Sequence, residues 1–158
     1  MSVLAITIEK NSVYSEVAKT TAYIGAKNKQ ENGKTAFDQM FVTDADLAMI
    51  ERFYNEGKET LKNLLKQFVT GINDDSSGNI NWTLTMSSSF KSYMEEGIIS
   101  SIKSFLVNYI ITKWCEITAN DKVKEYAENA TVLLLDIKEK VYYKSAPTRT
   151  KPSKDNDN

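Results

Sequence analysis

Two stretches of this chain place apolar residues at alternating steps of three and four, and that spacing commits both to packed helices. In the first, Leu47, Ile50, Tyr54, Gly57, Leu61, Leu64 and Phe68 step by 3, 4, 3, 4, 3 and 4, the period of a helix–helix seam rather than of a strand. In the second, Val123, Ala127, Ala130, Leu134, Ile137 and Val141 step by 4, 3, 4, 3 and 4. Gly57 stands on the first seam, where a glycine costs a helix about 1 kcal/mol relative to alanine. Close helix packing, with another backbone drawn near at Gly57, would offset that cost. Thr43 is a good N-cap for this helix, Asp44 and Asp46 suit its first turn, and Gly71 stands at the C′ position, so the pattern predicts a helix from Thr43 to Thr70.

Elsewhere the period changes. Leu4, Ile6 and Ile8 alternate with Ala5, Thr7 and Glu9, and Ile80, Trp82, Leu84 and Met86 alternate with Asn81, Thr83 and Thr85. Period two marks half-buried strands, here at about 3–8 and 80–86. Val13, Val17 and Ile24 predict a helix from Ser12 to about Lys27, followed by a polar loop turning at Gly33. Ser87, Ser88 and Ser89 can cap a long helix from about Phe90 to Ile117 that is apolar around most of its circumference and therefore central. A last helix runs from about Asn120 to Tyr143, and Pro147 prevents much continuation. The fold class is mainly α: about four helices in a bundle with two short β-strands. Residues 1–144 make a single, mainly helical domain. Residues 145–158, which hold both prolines and little to bury, read as a flexible polar tail.

Composition removes much chemistry. The chain has 158 residues, no histidine and one cysteine, Cys115. Ser–His–Asp and Cys–His machinery, His-ligated zinc and an intramolecular disulfide are all excluded. Twenty Lys and Arg against 21 Asp and Glu leave a net charge of −1, which argues against sequence-specific nucleic-acid binding. The six glycines make no phosphate-cradling pattern. Asn73, Asp75, Ser77 and Gly78 mimic the start of a calcium loop, but Leu84 stands where the bidentate carboxylate belongs, so a plain turn is the reading and no metal or cofactor is expected. Asp44 with Asp46, Asp74 with Asp75, and Glu95 with Glu96 are accounted for by a helix start, a solvated loop and an exposed helix side. Cys115, beside Trp114 in the most apolar helix, reads as a buried structural thiol. No signal peptide is read at Met1 to Lys10, and no window is apolar enough to span a bilayer.

What remains is surface. The row Ile80, Trp82, Leu84 and Met86 must pack either on this chain's own helices or on another copy, because two short strands make no stable sheet alone. The tail carries Lys144, Arg149, Lys151 and Lys154, balanced by Asp155 and Asp157. The candidate interface is therefore Ile80, Trp82, Leu84, Met86, Arg149 and Lys151.

The C-terminal region adds a resemblance. Trp114, the charged passage Asn120 to Ala130 with its Tyr-Ala, the aliphatic stretch Leu133 to Lys144 ending in Tyr-Tyr-Lys, and Pro147-Thr-Arg149 follow one another in a recognisable order. That order resembles the end of small structural proteins of phages and prophages of Bacteroides-like gut bacteria, and is similar to head–tail connector (adaptor) proteins. The likeness lies mostly in residues 114–149. The two strands and the greater length depart from a minimal connector. The resemblance implies a non-enzymatic virion protein, found in the virion or bacterial cytoplasm, that forms a homo-oligomeric ring and contacts portal or tail components. Two other classes remain open: a small cytosolic binding or regulatory module, such as an inhibitor of a host enzyme, and an enzyme working with carboxylate, lysine or tyrosine groups alone.

Overall fold

The computed structural model describes residues 1–27, 46–118 and 121–143. In chain order the elements are β1 (Ser2–Ile8), α1 (Lys10–Lys27), α2 (Leu47–Leu65), β2 (Val69–Ile72), β3 (Ile80–Met86), a 3₁₀ turn at Ser92–Met94, α3 (Glu95–Ile117) and α4 (Val123–Tyr142). The mainly α class with short strands holds. Helix α3 lies at the centre, packing against each of the other three helices and against β1. Its all-round apolar surface demands that position: Ile98, Ile102, Phe105, Leu106, Ile110, Ile111 and Cys115 are all buried.

The period-two rows become one face of a sheet. β1 and β3 pair antiparallel with Leu4 opposite Leu84, Ile6 opposite Trp82 and Ile8 opposite Ile80. All six, with Met86, are buried. This corrects the interface reading of Ile80, Trp82, Leu84 and Met86. The row is spent on this chain's own core, because β1 supplies the second strand and the helices cover the face that the row presents. Arg149 and Lys151 lie outside the described residues, as do Thr43, Gly33, Asn120 and the tail.

A second correction concerns the end of the first seam. The helix expected to reach Thr70 stops at Leu65; the chain turns, with Phe68 N–H donating to Leu65 O at 2.8 Å, and residues 69–72 pair with β3 as a third strand. Gly71 is thus not a helix cap but a strand residue opposite Thr83, next to a bulge between Val69 and Gly71. The sheet order is β1-β3-β2. Tertiary pairing overrides the helical spacing here: β3 has a second edge to satisfy, and the β-branched Val69 and Thr70 suit a strand. Leu47, the first seam residue, is exposed, whereas Phe53 and Lys58 join the buried side. Helix α3 begins at Glu95 rather than Phe90, with Glu95 and Glu96 in its first turn, where their charge opposes the helix dipole.

Candidate functional site

Two clusters of polar side chains stand out among the described residues. The first is built on the loop between β2 and β3. Asp75 ties the loop's own backbone, its Oδ1 accepting from the N–H groups of Ser77 at 3.0 Å and Asn79 at 3.2 Å. Gly78 adopts φ +80°, the left-handed region that favours glycine, closing the turn. Its carbonyl accepts from the Tyr54 hydroxyl at 2.9 Å, and Asn79 Oδ1 accepts from the Lys10 N–H at the start of α1 at 2.9 Å, filling one orphan donor of that helix.

Asp74 is the hub of this loop. One carboxylate oxygen accepts from Asn81 N–H at 3.2 Å and Trp82 Nε1 at 3.0 Å, and the other from Lys58 Nζ at 2.7 Å. Burial by itself would raise this carboxyl; the bonds from Lys58, Asn81 and Trp82 outweigh it and hold Asp74 below the usual carboxylate range. A carboxylate so held is a poor general base at neutral pH. Lys58 Nζ also stands 5.7 Å from the centre of the Tyr54 ring. Burial pushes the Tyr54 hydroxyl well up, and that of Tyr14 up to about 12, with Glu51 adding to the Tyr14 effect. The loop that mimicked a calcium site is a polar clasp whose carboxylates serve amides, an indole and one ammonium.

The second cluster joins α3 to α4. Ser101 Oγ donates to Asp136 Oδ2 at 2.6 Å, and Lys140 Nζ donates to the same oxygen at 2.6 Å and to Ser101 Oγ at 2.8 Å. A serine activated by lysine needs a neutral amine to take its proton. Here Asp136 Oδ2 accepts from both Lys140 and Ser101, and its carboxyl is lowered: burial opposes the shift, and the bonds from Lys140 and Ser101 decide it. The trio clips two helices together.

The remaining groups are equally quiet. Cys115 is fully buried, and burial, helped by Asp121, pushes its thiol up to about 11, far from a thiolate at neutral pH. A shallow groove of about 210 Å³ between α2, α3 and α4 is lined by Thr60, Phe105, Tyr109, Ala130 and Leu134 among others, without converging acids. Among the described residues no group of three or more His, Cys, Asp or Glu could hold a metal ion, and no helix is long and apolar enough to cross a membrane.

Gly57 lies where α2 meets α3. A Cβ built there would stand 3.0 Å from Leu106 Cδ2 and 3.3 Å from Tyr109 Cδ1. The close approach at this seam position is therefore to side chains of α3 rather than to its backbone. The clasp was missed in the sequence, although two signals pointed to it. Lys58 sits four residues after Tyr54 and three before Leu61 on the buried side of a helix, and a buried Trp82 indole needs an acceptor.

Exposed apolar surface gathers on α4. Among the described elements only α3 covers this helix extensively, on the side of Ala130, Ile137 and Val141. Val132 at 63% exposure, Leu135 at 56% and Tyr142 at 43% follow on the opposite side at steps of three and seven. Tyr142 is anchored there by its hydroxyl, which donates to Gln67 at 3.0 Å, and by edge-on contact with Phe68. Compared with protein families, curated proteins and solved structures, the chain has no significant match.

Proposed function

We propose that this protein is a non-enzymatic structural subunit of a phage or prophage virion, a head–tail connector or neck component that works by self-assembly and by contact with portal or tail proteins. The observation that carries the reading is the outer side of α4. An amphipathic helix normally turns its apolar residues inward, yet this one keeps Val132 and Leu135 exposed on its outer side, with Tyr142 at the flank against Phe68. The occupant proposed for that side is the next copy in a ring. A ring contact is heterologous, so that side would meet a different surface of its neighbour. The strand row first considered for this purpose is consumed by the core, and Val132 and Leu135 on α4 are exposed apolar residues that remain on offer. The polar clusters support the same reading, since their charged groups bind one another and the backbone.

Light scattering after size exclusion, over a concentration series, tests it. The wild-type chain should rise from 17.9 kDa toward a multiple of that mass. The double variant Val132→Glu/Leu135→Glu should fail to reach the mass of a ring, with an unchanged thermal midpoint, because both side chains are solvated in the monomer. Assembly unaffected by the double variant would refute the role of α4. A strictly monomeric wild-type chain that also fails to bind a portal ring would refute the connector reading and favour a small regulatory module.

A further inference from the structure

Among the described residues the sheet has two edges without a further strand, and they differ. β2 is four residues long and bulged, which blunts it as a template. β1 is seven residues long, Ser-Val-Leu-Ala-Ile-Thr-Ile, with no charge, no proline and no bulge in its pairing with β3. Natural edge strands usually carry one of those devices to discourage pairing with another chain. β1 carries none, and among the described residues its one partner is β3.

Which backbone groups of β1 stand free follows from β2. Thr85 N–H donates to Phe68 O, and Asn81 O accepts from Asn73 N–H. In a strand, the N–H and C=O of one residue point the same way and alternate along the chain. Asn81, Thr83 and Thr85 therefore address β2, while Ile80, Trp82, Leu84 and Met86 address β1. Their register partners Ile8, Ile6, Leu4 and Ser2 use their backbone groups on β3. The N–H and C=O of Val3, Ala5 and Thr7 are left pointing off the edge, on residues that are all exposed.

We propose that β1 pairs antiparallel with β1 of a second copy across a two-fold axis at Ala5, joining two three-stranded sheets into one of six. The register sets Val3 against Thr7 of the partner subunit and Ala5 against the partner's Ala5. Each of these pairs exchanges two hydrogen bonds, which satisfies every backbone group left free on Val3, Ala5 and Thr7. A slip by one residue would set core-facing against solvent-facing side chains, so the pattern itself selects registers of this parity. A second copy is the committed occupant because the edge is its own complement: the pairing sets no like charges opposite each other, and the contact is isologous. The inference uses only the backbone of β1, so it stands apart from the connector role and from α4, whose contact is a different one.

Opposed charges at the axis give the test. In the dimer, position 5 faces itself, and like charges directly opposite destabilise a pair. Ala5→Lys and Ala5→Glu should each leave the monomer folded, because the side chain is on the solvent side, and each should weaken dimerisation at least tenfold. Mixing the two should restore a dimer containing one of each. In the wild-type chain, amide exchange at Val3, Ala5 and Thr7 should slow as concentration rises, whereas Leu4, Ile6 and Ile8 should be slow throughout. A wild-type chain monomeric at all concentrations, or one whose dimer survives Ala5→Lys unchanged, would overturn the proposal. A dimer lost in Val132→Glu/Leu135→Glu but kept in Ala5→Lys would overturn it while leaving the connector reading in place. Failure of the mixture to pair would overturn it too.

Discussion

Replacing Asp74 by alanine should be one of the most damaging single changes to the polar part of this fold, and its size can be worked from the contacts it removes. Lys58 keeps only 9% of its side chain in solvent, against 21% for Asp74. Removing the carboxylate strands an ammonium in the interior and strips acceptors from Trp82 Nε1 and Asn81 N–H. Breaking a buried pair costs roughly 3–5 kcal/mol, and the partial exposure of Asp74 reduces this to about 2–4 kcal/mol. The thermal midpoint of a chain of this size moves about 2–4 °C per kcal/mol, so Asp74→Ala should lose roughly 5–15 °C. Lys58→Met should cost less, about 1 kcal/mol, because the carboxylate keeps its indole and amide donors and meets water, while methionine keeps the stem's volume. The pH dependence has a definite sign. The folded-state value of Asp74 is lowered, so the unfolded chain binds more protons in the acid window. The stabilisation is complete above the unfolded carboxylate value, about 3.9, and is lost as pH falls through the folded one. Urea unfolding from pH 7 to pH 2 should show a smaller acid loss in Asp74→Ala than in wild type. A penalty below about 1 kcal/mol, or a larger one for Lys58→Met, would refute the premise that the lysine depends on this carboxylate.

Two further outcomes follow from packing. Gly57→Ala should gain about 1 kcal/mol of helix propensity and lose roughly 1–3 kcal/mol to crowding, because Leu106 is fully buried and has little room to yield at 3.0 Å. Urea titration should show a net loss near 1 kcal/mol, and a stabilised variant would show that α3 can move aside. Cys115 should resist a thiol reagent at pH 8 in the native chain and react once urea unfolds it, given a buried thiol raised to about 11; rapid native labelling would place it near the surface.

The helices were legible because their seams are long and regular, and the strands β1 and β3 because alternation over seven residues has one structural meaning. β2 was hidden for a physical reason. Leu61, Leu64 and Phe68 continue the helical spacing, and only the open edge of β3, whose partner residues lie ten or more positions downstream, turns the following residues into a strand. Local pattern cannot register a partner so far along the chain. The clasp was hidden for a related reason. Asp74 looks like one of many loop acids until folding brings Lys58, Asn81 and Trp82 to its two oxygens. The burial of Trp82 within its own chain had an alternative in the sequence, since an apolar row states that it must be covered and is silent on which chain covers it.

That silence and the open edge of β1 share one cause. Side-chain alternation shows which residues need a cover, Leu4, Ile6 and Ile8 as well as the row on β3, and it leaves open whether the two strands pair within one chain or between chains. The direction of backbone groups within the sheet plane leaves no trace in residue types, because every residue of β1 carries the same N–H and C=O. It becomes known only when a third strand claims one side of β3 through Thr85 and Asn81. The strand that the sequence concealed is therefore the one that tells which groups of β1 remain unspent. The residues carrying them, Val3, Ala5 and Thr7, are unremarkable in the sequence because their recognition chemistry is in the backbone. An edge of this kind is invisible to any search for acids, bases or metal ligands, because what it offers a partner is main-chain hydrogen bonding.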